Sequence, residues 1–352
     1  MSSLDETSRA SSIVSREKQG TASPALLHTI LFAGLAALLA VLPLLGIYPF
    51  VLAEILCFAL FASAFNLMLG YGGLLSFGHA MFFGFASYVT AYTAKTGLAS
   101  LPFWLPGEGW TTIQIGLPPF PPELAIVTGA AVAALLGFIT GSLAIRRQGI
   151  YFSMITLALA QMVYFFSLQA PFTGGENGIQ AVPRGRALGL IDLSSDTTLY
   201  YTVAVVFFAG FLLIYRIIHS PFGQVLKAIR DNEPRAISLG YRASHYKLVV
   251  FVLSATLAGL AGGMKAIVSQ LATLTDVHWS MSGEVILMTL VGGMGTIFGP
   301  VVGAIIIVAI QNYLNSLGAW VTIVQGTIFV ICVLLFKEGI VGVLSRALKK
   351  PL

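Results

Sequence analysis

Charge is nearly absent from most of this chain, and that absence limits the fold more than any other feature of the sequence. Only 9% of the 352 residues are charged and 57% are apolar, and the mean hydropathy is +0.89. A soluble domain carries roughly 25% charged residues. Residues 1–23, 219–247 and 337–352 hold 18 of the 33 charges, so the stretches between them are almost uncharged. The sequence therefore predicts an integral membrane protein and excludes a soluble enzyme.

Ten apolar windows are candidates for membrane spans, because a helix needs roughly 20 apolar residues to cross about 30 Å of hydrocarbon. The windows are 25–45, 50–69, 74–94, 124–145, 150–169, 199–218, 246–270, 283–298, 299–317 and 319–336. The first is interpreted as a retained span and not as a cleaved signal peptide. The eighth and ninth are short and interrupted by glycine, so the count is eight to ten. We predict an all-α polytopic membrane protein with about ten transmembrane helices, some of them short or broken.

Basic residues predict the orientation, because cytoplasmic loops near span ends collect Lys and Arg. Ten spans with both termini inside place 15 of the 19 basic residues in the cytoplasm. The predicted domains are a disordered cytoplasmic tail (1–23), a transmembrane domain (24–337) that includes a cytoplasmic loop (219–247), and a cytoplasmic C-terminal tail (338–352). This bias explains the net charge of +5 as topology, without a nucleic-acid partner.

Polar features on the outer side are few. The two long outer loops, 96–123 and 170–198, are either solvated connections or a docking surface for an extracytoplasmic partner. Three ionisable side chains lie in apolar windows near the outer interface, namely Glu54, Lys265 and Glu284. We expect them to snorkel or to pair with one another, because a proton relay would need groups nearer the midplane. The two cysteines cannot build a disulfide framework or a zinc site, and no metal site is predicted.

Two glycine-rich segments interrupt the apolar windows. Met68 precedes Gly72-Gly73 at the spacing with which Met288 precedes Gly292-Gly293. Backbone groups freed in hydrocarbon must line a cavity or pack on protein. Paired broken spans indicate a pathway at a repeat interface, so we hypothesise an internal repeat, with close helix packing through small residues as the alternative. The predicted substrate pathway comprises Asn66, Gly70, Gly72, Gly73, Ser76, His79, Gly292, Gly293 and Thr296. His79 itself is more typical of a hydrogen-bonded packing residue than of a proton relay.

The loop 219–247 has the pattern of two short helices. Ser220 suits a helix cap, and Pro221 suits the first turn, where a missing N–H is tolerated. Pro234 begins a second helix, and Gly240 suits a left-handed end.

The first of these helices is amphipathic. Phe222, Leu226 and Ile229 share one face, and Lys227 and Arg230 share another. A merely solvated loop has little use for an apolar stripe, so the stripe predicts a docking site for a soluble cytoplasmic protein. The chain has no Gly-x-x-x-x-Gly-Lys-Ser/Thr sequence and builds no P-loop of its own. Any ATP would therefore be bound by the docked partner.

Residues 66–88, 147–152, 173–183, 220–247 and 284–303 together resemble the permease subunit of bacterial ABC importers for branched-chain amino acids, of the LivM type. The resemblance covers residues from about 50 to 340. It implies a second permease subunit, two cytoplasmic ABC ATPases, a periplasmic substrate-binding protein and a bacterial inner membrane.

The resemblance also makes 220–247 the coupling loop, a divergent relative of the Glu-Ala-Ala-x-x-x-Gly motif. The interval from Glu233 to Gly240 is one residue longer than in that motif, and Pro234-Arg235 replaces Ala-Ala. The predicted ATPase-coupling residues are Phe222, Leu226, Lys227, Ile229, Arg230, Glu233, Arg235 and Gly240.

These observations predict a permease subunit without catalytic residues or a cofactor of its own. It would move Leu, Ile or Val inward by alternating access, while ATP on the partner subunits biases the two states. The alternatives are an ABC permease for urea, short amides or other amino acids, an ion-coupled secondary transporter, or a channel.

Overall fold

The computed structural model describes residues 24–97, 100–105, 109–114, 116, 118–187, 189, 191–314, 318, 339–348 and seven further residues between 320 and 334. The predicted tail 1–23 and most of the tenth window lie outside these residues. The chain divides into two compact units between Ile47 and Tyr48. The described part of the first unit is helix α1 (Pro24–Val41) followed by a 3₁₀ turn (Leu42–Leu45).

The second unit contains twelve described helices. They are α2 (Pro49–Asn66), α3 (Ala80–Thr96), α4 (Pro122–Ala144), α5 (Ile150–Gln169), α6 (Asp196–His219), α7 (Pro221–Asp231), α8 (Glu233–Ser238), α9 (Ala243–Ser269), α10 (Leu274–Val277), α11 (Trp279–Gly292), α12 (Gly299–Leu314) and α13 (Gly339–Leu348). A π-helical turn, Leu67–Tyr71, extends α2. Within the segment predicted as the C-terminal tail, α13 packs against α11 and α12.

Five helices in the described residues are long and apolar enough to cross a membrane. They are α2 with its π-helical turn, α4, α5, α6 and α9. Shorter apolar helices accompany them at Phe32–Leu44, Trp279–Gly292 and Gly299–Leu314. The predicted all-α polytopic fold is confirmed.

Helices α2 and α9 lie at the centre of the second unit. Helix α9 packs against α2, α3 and α4, and α2 also packs against α6, α11 and α12. Phe61, Phe65 and Phe251 are fully buried in this region. The peripheral helices instead expose large apolar side chains, such as Leu135 of α4 and Phe165 of α5. Extensive apolar surface of this kind suits contact with lipid.

Two of the predicted spans are broken. Residues 72–79 separate α2 from α3, although the apolar window begins at residue 74. The predicted span 283–298 is wrong at its C-terminal end, because residues 293–298 form a turn between α11 and α12 in which Gly293 and Gly295 have φ of 129° and 77°. Glycine tolerates such angles. The 14 residues of α11 extend about 21 Å, which is less than the hydrocarbon thickness of about 30 Å.

Short strands form within the two long loops. An antiparallel hairpin joins β1 (Ser100–Leu105) to β2 (Gly109–Gln114) within the first predicted outer loop. In the second, β3 (Ile179–Gln180) pairs with β6 (Leu271–Ala272), and β4 (Arg186–Ala187) pairs with β5 (Ile191–Asp192). The β3–β6 pair ties the loop 170–198 to the segment that follows α9.

Candidate functional site: a coupling junction

Helices α7 and α8 form as their local sequence predicts. The Ser220 hydroxyl accepts a hydrogen bond from the Gly223 N–H at 3.3 Å, and the Asn232 side chain accepts one from the Arg235 N–H at 3.0 Å. These caps satisfy N–H groups that the first turn leaves unpaired. Gly240 ends the segment with φ of 91°. The predicted pair of short helices is confirmed.

The apolar stripe of α7 faces the chain itself. Leu226 is 0% and Ile229 is 2% exposed. Ile229 forms a cluster with Ala236 of α8 and Ala243 of α9. The Phe222 ring stacks on Tyr246 of α9, with centroids 5.5 Å apart. The stripe therefore fastens α7 to α8 and α9, and it does not present Leu226 or Ile229 to a partner.

A different apolar set is exposed on this segment. Ile237, Leu239 and Tyr241 are 54%, 71% and 40% exposed. All three follow Pro234, so they lie on α8 and on the turn that leads into α9. The exposed apolar surface of this segment is thus formed by α8 and that turn. The sequence pattern did not single out these residues. The usable signal was that three large apolar side chains flank Gly240, a residue predicted to end a helix.

Polar contacts fix the two short helices to the spans. The Lys247 ammonium of α9 lies 2.6 Å from the Glu233 carboxylate of α8, and both side chains are largely buried. The Lys227 ammonium lies 5.5 Å from the centroid of the Tyr71 ring, within reach of a cation–π contact. Partial burial, and next the positive charge of Arg230, lower the pKa of Lys227. Arg235 donates its backbone N–H to the Asn232 cap, as described above.

Arg230 connects α7 to the first glycine-rich segment. Its guanidinium donates a hydrogen bond to the Gly70 carbonyl and also lies 3.0 Å from the Asp231 carboxylate. Gly73 has φ of 67°, and a Cβ atom there would lie 2.9 Å from the Arg230 side chain. Gly73 therefore leaves room for the arginine against the π-helical end of α2.

The two glycine-rich segments meet at Asn66. Its side-chain amide donates to the Thr296 carbonyl at 2.8 Å, and its carbonyl oxygen accepts from the Gly295 N–H at 2.9 Å. A Cβ atom on Gly70 would lie 2.7 Å from the Gly295 nitrogen. We call Asn66, Gly70, Gly73, Arg230, Gly295 and Thr296 the coupling junction. It joins the end of α2, the α11–α12 turn and α7. We refer to the region of the bundle around these three segments as the α7–α8 end.

The remaining glycines of the predicted pathway serve close packing. A Cβ on Gly292 would collide with the Gly299 carbonyl, so Gly292 permits α11 and α12 to approach. A Cβ on Gly72 would lie 2.6 Å from the Met68 carbonyl oxygen. Gly293 takes its positive φ at the end of α11, and the carbonyl of Gly293 accepts the Thr296 hydroxyl at 2.7 Å. The prediction that these residues contact substrate stays a prediction.

Ser76 and His79 lie in the interior of the bundle, where both side chains are buried. His79 is fully buried, with its ring 5.3 Å from Phe65 and 5.2 Å from Phe82, both edge-on. Its Nε2 lies 2.9 Å from the Ser254 hydroxyl. Ser254 is the twelfth residue of α9, about 16 Å from the start of that helix. This environment agrees with a packing histidine.

The first turns of α3 and α11 meet in this interior. The Ala80 N–H of α3 donates to the Ser282 hydroxyl of α11 at 2.9 Å. The Ser153 hydroxyl of α5 donates to the Leu75 carbonyl at 2.6 Å, and the Gly78 N–H donates to Ser76. Backbone groups freed by the break are therefore paired within protein, as the low-dielectric environment demands.

The ionisable side chains in the apolar windows pair with other polar groups and not with one another. Lys265 and Asp276 form a buried ion pair at 2.6 Å. Gln311 donates to Glu284 at 3.0 Å, and the Asn312 amide donates to Glu54 at 3.1 Å. The sequence did not identify Asp276 as the partner of Lys265. Thr273-x-x-Asp276 does fit a capping box, and the structure contains it. Among the described residues, no three His, Cys, Asp or Glu side chains are placed to share a metal ion.

Comparisons with known proteins match most of the chain. A family profile described as branched-chain amino acid transport system / permease component matches residues 47–333. The high-affinity branched-chain amino acid transport system permease protein LivM of Escherichia coli K12 is 24% identical over 81% of this chain and 67% of its own length. The ribose import permease protein RbsC of Bacillus subtilis is 29% identical over 62% and 69%. The fructose import permease protein FrcC of Rhizobium meliloti is 24% identical over 61% and 62%. No solved structure matches the chain significantly.

Proposed function

This chain belongs to the family of branched-chain amino acid transport system permease components, and from that premise we propose that it carries Leu, Ile and Val inward as one permease subunit of an ABC importer. It is a multi-pass inner-membrane transport protein.

The observation that carries the proposal is the coupling junction. Arg230 of α7 contacts Gly70 and Gly73, and Asn66 holds Gly70 beside the α11–α12 turn. A displacement of α7 and α8 would therefore reach both glycine-rich segments through direct contacts. An importer driven by a soluble ATPase needs such a connection between its docking helices and its spans.

We assign the partners from the family and from this geometry. Two cytoplasmic ABC ATPases bind ATP, so that the chain itself needs no cofactor, and one of them contacts α8 and the following turn through Ile237, Leu239 and Tyr241. A second permease subunit and a periplasmic substrate-binding protein complete the importer. Both termini and the α7–α8 end then lie in the cytoplasm, in agreement with the positive-inside rule.

The cargo is proposed from the extent of similarity. The LivM relative matches 81% of this chain, whereas the ribose permease matches 62% at a higher identity of 29%. The wider match supports branched-chain amino acids. The sugar relatives make ribose or fructose the candidates to test beside urea, short amides and other amino acids.

The test is reconstitution of the complete importer in proteoliposomes with ATP on the ATPase side. We expect ATP-dependent accumulation of labelled Leu, Ile and Val that requires the binding protein. Unlabelled ribose in excess should not compete. Accumulation of ribose or urea without Leu would reassign the cargo and leave the importer intact. Uptake that follows a proton or sodium gradient at constant ATP would refute the ABC mechanism.

A further inference from the structure

A cavity of about 800 Å³ opens at the α7–α8 end of the bundle, and no residue of the coupling junction lines it. One wall is the end of α4 and the residues after it, including Ser142, Ile145 and Arg146. A second wall is α8, the turn after it and the first turn of α9, including Ile237, Arg242 and His245. Its volume lies within the range of about 300–1,000 Å³ typical of small-molecule sites.

The cavity carries positive charge. Arg146 and Arg242 line it from different walls, and His245 lines it as well. Glu233 is the one carboxylate among its lining residues, and the Lys247 ammonium lies 2.6 Å away and neutralises it. Arg146 uses its Nε–H on the Ser142 carbonyl at 3.2 Å. Its other four N–H donors have no partner among the described residues and can bind a ligand. Such a lining favours a ligand with phosphate chemistry.

The apolar surface beside the cavity indicates where the ligand comes from. The face of α4 exposes Leu135, Phe138, Ile139 and Leu143 at 60%, 54%, 49% and 48%. This exposed face runs along the span and ends at Arg146, two residues after the helix does. A site with cations at the end of an apolar span lies at the level of the lipid headgroups. A soluble anion would have no use for the adjoining apolar face.

We propose that this cavity binds the phosphate headgroup of an anionic phospholipid. Arg146 and Arg242 contact the phosphate from the two walls, and the acyl chains lie along the exposed face of α4. Because one wall belongs to α8, a bound lipid would brace the helix that carries the docking surface. The proposal requires the membrane placement of α4 and does not depend on the cargo of the importer.

The test measures lipid binding to the purified full chain in detergent by native mass spectrometry. Phosphatidylglycerol is the probe and phosphatidylcholine is the zwitterionic control. We expect saturable binding of phosphatidylglycerol. Removal of one basic contact near a membrane surface weakens binding roughly fivefold, so Arg146→Gln with Arg242→Gln should weaken it about 25-fold. Arg216→Gln is the matched control, because it removes an exposed cation from the end of α6, outside the cavity.

Several outcomes would overturn the proposal. One is an equal loss of affinity in the Arg216→Gln variant, which would show general attraction of lipid to basic residues. A second is competition by glycerol 3-phosphate at concentrations similar to the lipid, which would identify a soluble anion. A third is loss of ATPase co-purification from the double variant with lipid affinity unchanged, which would assign the cavity to the ATPase. Should the double variant not fold, each single variant is expected to bind fivefold more weakly.

Discussion

Two isoleucines eight residues apart separate the packing role of the α7–α8 segment from its docking role. Ile229 is 2% exposed and packs against Ala236 and Ala243, whereas Ile237 is 54% exposed. Substitution of each by alanine removes the same three carbon atoms. We expect Ile229→Ala to loosen the segment and Ile237→Ala to leave its fold intact.

The magnitude follows from burial. Three buried carbon atoms at about 0.8 kcal/mol each contribute about 2.4 kcal/mol to the stability of the segment. The cavity left behind adds to this loss, and such substitutions cost about 2–5 kcal/mol in total. A loss of 2.4 kcal/mol increases the population of molecules in which the α7–α8 segment is locally unfolded roughly 50-fold, since each 1.4 kcal/mol is a factor of ten. The exposed Ile237 side chain should change the free energy of unfolding by no more than about 0.5 kcal/mol.

Hydrogen exchange measured by mass spectrometry on the purified full chain reports this opening. Peptides from 221–238 should exchange about 50 times faster in Ile229→Ala and at the original rate in Ile237→Ala. Co-purification with the ATPases should fall in Ile237→Ala despite the intact fold. If Ile229→Ala lost the ATPases while its exchange stayed unchanged, the stripe would be a docking surface and our interpretation of the packing would be refuted.

Three further predictions concern the junction and the buried ion pair. Gly70→Ala should block ATP-driven uptake, because its Cβ would lie 2.7 Å from a backbone nitrogen of the α11–α12 turn. Gly240 has φ of 91° but open space around it, so Gly240→Ala should lower the folding stability by only about 1–2 kcal/mol and retain uptake. Equal effects of the two substitutions on uptake would contradict the steric argument. Arg230→Gln should keep the importer assembled but lower the uptake per ATP hydrolysed several-fold, with Arg230→Lys in between; an unchanged ratio in proteoliposomes argues against the junction. Lys265→Met should lower the melting temperature, since an uncompensated buried Asp276 costs about 3–5 kcal/mol, and Lys265→Met with Asp276→Leu should regain most of it.

Local structure at the α7–α8 end could be predicted because its signals act over a few residues. Ser220 and Pro221 begin α7, Pro234 lies in the first turn of α8, and Gly240 takes the left-handed conformation that ends the segment. Helix caps and proline restrictions depend on the backbone of the same turn. Long apolar windows were likewise sufficient for the polytopic fold, because hydrocarbon leaves few other structures available.

Contacts between distant segments could not be predicted by the same means. An amphipathic pattern shows that one face of α7 is buried but does not reveal what buries it, so Leu226 and Ile229 were assigned to a partner and not to α8 and α9. The pairing of His79 with Ser254 joins residues 175 positions apart. Asn66 was placed on a pathway by its neighbours in sequence, whereas its hydrogen bonds cross to the α11–α12 turn, 229 and 230 positions away.

The strength of the junction limits how it can transmit ATP binding. A single hydrogen bond from a charged donor, such as that from Arg230 to Gly70, contributes about 1.5–3 kcal/mol net. The Arg230 side chain is 38% exposed, so water replaces part of a broken bond. Moving an equilibrium from 1:99 to 99:1 takes about 5.5 kcal/mol of differential contact. One bond is therefore insufficient. If α7 and α8 move as one body, because the Ile229 cluster holds them together, then the contacts at Gly70, Gly73 and Tyr71 change in one step. We therefore propose that the buried stripe acts in coupling without contacting the ATPase, by making the segment rigid enough for several weak contacts to act together.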